Sequence, residues 1–93
     1  MKTEKPLRLV ELLRGLIAEM DKMQIGQVYI AVAEELKRVV FVETHGNQFN
    51  GVVYKNLIHL AMKDFIHSGR SLGSVKILNE VIEVIEGAEV LVE

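Results

Sequence analysis

The sequence predicts a mainly α fold: a single-domain helical bundle of about four helices, with a candidate short strand at the C-terminus. Two observations carry this prediction. Four segments repeat apolar residues at helical spacing, and glycine-containing segments separate them. The 93 residues have room for one hydrophobic core, so residues 1–93 are expected to form one domain.

The first helix is expected to begin near Pro6, because a proline in the first helical turn loses no hydrogen bond, and Thr3 is its candidate cap. Large apolar residues follow at alternating spacings of four and three, a pattern typical of helix seams. We call this set the oligomer seam: Leu9, Leu13, Leu16 and Met20. Such a seam either packs against the rest of the bundle or joins a second copy of the chain.

The stretch from Gln27 to Val42 has two interpretations. As a helix, it places Glu34, Glu35 and Arg38 opposite an apolar face. As a hairpin, QVYIAVA and RVVFVE would be strands joined by EELK. EELK lacks the Gly or Asn that tight hairpin turns prefer, which favours the helix, with VVFVE free to become extended.

The stretch from Asn50 to Gly69 predicts a central helix, which follows a loop at Thr44–Gly51 and has Asn50 as a candidate cap. Its apolar residues fill an arc of roughly 200°. They are Val53, Tyr54, Leu57, Ile58, Leu60, Ala61, Met62 and Phe65. An arc that wide requires packing partners on more than one side.

A break at Ser68–Ser74 precedes the last predicted helix, Val75–Glu86, which Gly87 ends. The remaining AEVLVE is the candidate strand. No internal sequence repeat is evident. Four apolar arcs of this width exceed what a chain of 93 residues can bury alone, so we expect a homo-oligomer, most simply with twofold symmetry.

The composition argues against several chemistries. The chain has no cysteine, no nucleophile motif and no metal-binding histidine spacing, so we expect no enzyme activity, no cofactor and no metal. No apolar run approaches the roughly 18 residues of a membrane span, and no signal-peptide pattern is evident, so a cytoplasmic location is expected. The net charge of −2 argues against nucleic-acid binding by the whole surface.

The polar side of the central helix is the candidate binding site. Lys55, His59, Lys63 and His67 recur every four residues, and Arg70 follows in the next loop. Each step of four turns the helix by only about 40°, so these side chains form one line, here called the basic stripe. The stripe is either an ordinary solvated face or a surface for an anion, such as a DNA backbone or an acidic partner.

The stretch VVYKNLIHLAMKDFI, followed by HSGRSLGSVKIL, resembles a winged-helix recognition helix that leads into a wing. Val53, Tyr54, Leu57, Leu60 and Phe65 or Ile66 carry the resemblance. It implies a DNA-binding surface on the central helix and a wing carrying Arg70 and Lys76.

Two functions are therefore expected from the sequence. The first is a small non-catalytic, homo-oligomeric interaction or regulatory module that buries aliphatic helix faces against itself or another protein. The alternative is a dimeric DNA-binding transcriptional regulator of winged-helix type, with Lys55, His59, Lys63 and Arg70 on phosphates.

Overall fold

The computed structural model describes residues 2–20, 22, 25–70 and 72–92. The described residues form four helices and four short strands in a mainly α fold, as the sequence predicted. In chain order the elements are β1 (Lys2–Glu4), α1 (Leu7–Met20), α2 (Gly26–Arg38), β2 (Val40–Val42), β3 (Gln48–Asn50), α3 (Val52–Ser68), α4 (Leu72–Glu86) and β4 (Glu89–Val92).

The strands form one antiparallel sheet in the order β1-β4-β2-β3. The central pair, β4 and β2, places Phe41 opposite Val90, and both side chains are buried. These two residues extend the hydrophobic core of the helices onto the sheet.

The chain consists of two halves with the same element order, strand-helix-helix-strand. Exchanging the halves leaves the strand order unchanged, because β1 takes the place of β3 and β4 that of β2. Corresponding residues at the edge strands and at the starts of α2 and α4 are 46 positions apart, as in Lys2 and Gln48 or Gly26 and Leu72. The fold therefore has an approximate internal twofold symmetry, although the sequence shows no evident repeat.

The same offset relates one contact within each of the two helix pairs. Ser74 in α4 is buried, and its hydroxyl donates a hydrogen bond of 2.8 Å to the carbonyl oxygen of Ala61 in α3. Gly15 and Val28, the corresponding residues of α1 and α2, also face each other, since a Cβ at Gly15 would lie 3.9 Å from Val28 Cγ1. A small residue thus lies where the helices of each pair approach.

Each helix joins a strand at one end, so the two helix-to-helix connections lie at the other end, away from the sheet. The molecule is accordingly elongated, with extents of 43 × 20 × 16 Å. Gly69 ends α3 in the left-handed conformation (φ 68°), and its N–H donates to the carbonyl oxygen of Phe65 at 2.8 Å.

Two expected features at the strands are corrected. Thr3 does not cap α1: it lies in β1 and its hydroxyl donates to Glu89 Oε2 of β4 at 3.2 Å. The expected loop Thr44–Gly51 contains β3, and Gly46 (φ 85°) provides the turn that pairs β3 with β2. Asn50 Oδ1 does accept the N–H of Val52, at 3.1 Å, where α3 begins.

The helix over Gln27–Val42 is confirmed as far as Arg38, and the extended end is confirmed as β2. The candidate C-terminal strand is confirmed as β4. The last helix starts earlier than expected, at Leu72, and it occupies the segment in which the winged-helix resemblance implied a wing. The described residues after α3 form no wing. The two residues that the wing was expected to carry lie elsewhere: Arg70 is in the short connection after α3, and Lys76 is in α4.

Candidate functional site

The oligomer seam is not available to a second copy. Leu9, Leu13, Leu16 and Met20 are each at most 1% exposed within the single chain. They belong to the core that all four helices share. Of the two interpretations of the spacing of four and three, this burial favours packing inside the bundle over a contact with a second copy.

Helix α3 is covered less completely than its wide apolar arc predicted. Its buried side chains lie along one line: Ile58, Ala61, Met62 and Phe65. On both sides of this line large apolar side chains are exposed, including Leu60 and Ile66. The helix consequently presents two open flanks, one toward α4 and one toward α2.

The flank toward α4 is an apolar surface shared by the two helices. On α3, Val53, Leu57 and Leu60 are 62%, 42% and 58% exposed. On α4, Val84 is 56% exposed, and Ile77 and Val84 line a shallow groove with Leu57. We call these five residues the α3–α4 face: Val53, Leu57, Leu60, Ile77 and Val84.

The corresponding surface in the first half of the chain is largely charged. The residues 46 positions before Leu57, Leu60 and Val84 are Glu11, Arg14 and Arg38. Ion pairs crosslink this side of the chain: Glu35 Oε2 lies 3.4 Å from Arg8 Nε and 3.7 Å from Arg38 Nη2. One half of an approximately symmetric fold therefore has a polar outer face, and the other half has an apolar one.

The flank toward α2 forms a groove of about 530 Å³ near the end of the molecule away from the sheet. Its described lining, here called the α2–α3 groove, is Ile25, Gly26, Tyr29, His59, Met62, Lys63, Ile66 and His67. Three residues of the basic stripe thus border an apolar groove. The sequence identified the stripe but not the groove, since the groove requires the start of α2 to lie beside α3.

Tyr29 and His59 connect the two sides of this groove. The Tyr29 hydroxyl lies 3.0 Å from Nδ1 of His59. Burial raises the pKa of the Tyr29 hydroxyl, so the phenol keeps its proton and can donate it to a neutral imidazole. In that arrangement the His59 Nε2–H points away from Tyr29 and remains free for another acceptor.

The basic stripe is divided by the structure. His59, Lys63 and His67 line the groove, whereas Lys55 and Arg70 lie outside its lining. Lys55 is half-buried and Arg70 is exposed in the connection to α4. Among the described residues, the ion pairs involve Arg8, Arg14, Lys22 and Arg38 and none of the stripe's cations.

Comparison of the chain with protein-family models, curated proteins and solved structures finds no match. None of the helices in the described ranges is long and apolar enough to cross a lipid bilayer.

Proposed function

We propose that this protein is a non-catalytic interaction or regulatory module that acts as a homodimer through the α3–α4 face. One observation carries the proposal: an apolar surface spans two neighbouring helices on one half of the fold, and three of its five positions are charged in the other half, where the remaining two hold Leu7 and Ala31. Monomers generally avoid apolar patches of this kind. The homo-oligomer expected from the sequence is therefore proposed with the α3–α4 face as its contact surface in place of the oligomer seam.

A twofold dimer suits this face because the same surface must meet itself. Two helices from each copy would form a four-helix layer in which Leu57 and Leu60 pack against apolar neighbours. Glu80 lines the shallow groove beside Leu57. Lys76 lies one helical turn before it and offers the opposite charge to a second copy.

The test compares glutamate substitutions of two aliphatic residues that are equally exposed. Leu60 on the α3–α4 face and Ile30 on α2 are both 58% exposed. The dimer should be lost in Leu60→Glu, because each subunit would bury a carboxylate without a partner. It should persist in Ile30→Glu, which adds the same charge outside the face. Light scattering at matched concentrations measures both masses.

The two variants also separate dissociation from unfolding. Each should keep the helical circular-dichroism spectrum of the unmodified chain, since neither side chain belongs to the core. A folded Leu60→Glu monomer beside an Ile30→Glu dimer supports the proposal. Equal masses for the two variants, or loss of the dimer in Ile30→Glu only, would place the contact elsewhere.

The alternative, a dimeric DNA-binding regulator, is supported by two exposed cations of the stripe, Lys63 and Arg70, which form no ion pair with the residues that the structure describes. It has less support than the interaction module, since α4 replaces the wing and the chain carries a net charge of −2. Fluorescence anisotropy with a generic DNA duplex tests it. Binding that weakens steeply with salt and is lost on replacing Lys55 and Lys63 by Glu would favour this alternative.

A further inference from the structure

The internal symmetry reveals where the chain departs from a simple four-helix core. The oligomer seam of α1 is wholly apolar and buried. The residues 46 positions later on α3 are Lys55, His59, Met62 and Ile66. Lysine and histidine thus occupy positions at which α1 has Leu9 and Leu13, and the side of α3 that faces α2 remains open as the α2–α3 groove.

The groove combines two kinds of lining. Ile25, Met62 and Ile66 give it apolar walls, and Ile66 is 71% exposed at its rim. His59, Lys63 and His67 line the same space, and the described lining contains no carboxylate. A ligand that fits both kinds of lining has an apolar body and a negative charge.

The dimensions suit a small molecule. The volume of about 530 Å³ lies within the roughly 300–1,000 Å³ typical of small-molecule sites. Apolar walls with a few polar groups are also the usual composition of such sites. Tyr29 holds His59 by its hydroxyl, which leaves one ring N–H for the ligand.

We propose that the α2–α3 groove binds a small organic carboxylate with an aliphatic or aromatic body. Lys63 supplies the positive charge for the carboxylate, and the His59 Nε2–H donates a hydrogen bond to it. The apolar body lies against Met62, Ile66 and Ile25. This inference is independent of the proposed dimer, because the groove and the α3–α4 face lie on opposite flanks of α3.

The experiment uses octanoate as the probe and 1-octanol as its uncharged counterpart. Titration into the full chain is followed by the ring signals of Tyr29 and His59 in NMR spectra. Octanoate should shift these signals saturably, and 1-octanol should bind at least about tenfold more weakly, the effect expected from losing a charge-assisted hydrogen bond.

Two matched lysine variants test whether Lys63 supplies the positive charge for the carboxylate. Lys63→Gln should weaken octanoate binding by about tenfold and leave 1-octanol binding unchanged. Lys37→Gln removes the same charge from the last turn of α2, outside the groove lining, and should bind octanoate like the unmodified chain. Both lysines are exposed, so both variants should fold.

Three results would overturn the inference: no saturable shift with octanoate, equal affinity for octanoate and 1-octanol, or equal effects of the two lysine variants. The result of the dimer experiment does not decide whether the α2–α3 groove binds a carboxylate. Octanoate binding by a folded Leu60→Glu monomer would support the groove even where the dimer proposal had failed.

Discussion

Tyr29 lies at the boundary between the core and the α2–α3 groove, where burial raises the pKa of its hydroxyl. The folded state therefore holds the phenol proton more tightly than the unfolded state does. The resulting contribution to stability is complete below the ordinary tyrosine pKa of about 10 and is lost as the pH rises above it.

We expect the free energy of unfolding of the unmodified chain to fall more steeply between about pH 9 and about pH 11 than that of Tyr29→Phe, which has no phenol proton at this site. Urea denaturation at several pH values measures both slopes. All other ionisable groups are common to the two proteins, so their effects cancel in the comparison. Identical slopes would mean that burial of Tyr29 does not favour its neutral form.

Replacing Gly51 and Gly15 by alanine should change the free energy of unfolding in opposite directions. A Cβ at Gly51 would lie 2.8 Å from Leu36 Cδ2 and 2.9 Å from the Leu36 carbonyl oxygen, which is too close. Gly51→Ala should therefore lower the free energy of unfolding by about 1–3 kcal/mol.

Gly15 lies inside α1, and its Cβ would be at an ordinary distance of 3.9 Å from Val28 Cγ1. Gly15→Ala should raise the free energy of unfolding by about 0.5–1 kcal/mol, because alanine loses less backbone entropy in a helix. Urea denaturation compares both variants with the unmodified chain. No loss of stability in Gly51→Ala would contradict the close packing described at Gly51, and a loss in Gly15→Ala would contradict the space described at Gly15.

At the scale of elements, the hairpin of β2 and β3 is attached to the core by an aromatic cluster. The Phe41 ring stacks on Phe49 with centroids 5.3 Å apart and meets the edge of Tyr54 at 5.1 Å. Phe41 is fully buried, whereas Phe49 is only partly buried. The inner ring therefore fixes the hairpin on the helices.

Phe41→Ala should lower the free energy of unfolding by about 3–5 kcal/mol, as expected for a fully buried aromatic residue. Phe49→Ala, on the paired strand, should have a distinctly smaller effect, because part of its ring is already in contact with water. Thermal unfolding of both variants provides the comparison. An equal or larger effect of Phe49→Ala would show that the hairpin is held by its outer ring.

The sequence predicted the helices well and the strands poorly, for a physical reason. Helical spacing is local, so α1, α2 and α3 could be placed from their own residues. The strands β1 and β3 have three residues each, KTE and QFN, and no apolar alternation. The partner of β1 is β4, at the other end of the sequence, which a local pattern does not record. The partner of β3 is the neighbouring β2, but three residues without apolar alternation do not mark β3 as a strand.

The candidate site was predictable only in part. The basic stripe follows from spacing on one helix, but its division between a groove and the solvent depends on where α2 packs. The apolar residues of α3 were recognisable, yet spacing alone did not distinguish the buried Ile58 from the exposed Leu57. The two interpretations of the oligomer seam could not be separated from the sequence, because a core contact and a dimer contact have the same sequence pattern.

Across the whole molecule, the chain folds as two similar halves whose outer faces differ. The first half closes its outer face with charge, including the ion pairs of Glu35. The second half leaves the α3–α4 face apolar, and α3 also borders the α2–α3 groove. Self-association and ligand binding are thereby assigned to different flanks of one helix.

Sedimentation equilibrium of the unmodified chain at low and high salt tests whether two copies associate through apolar contacts. We expect a mass twice the 10.5 kDa of one chain over a wide range of concentration. This mass should persist as salt rises, because apolar contacts hold or strengthen under salts that are excluded from protein surfaces. A mass of 10.5 kDa at every concentration, or a dimer that dissociates as salt rises, would contradict this expectation.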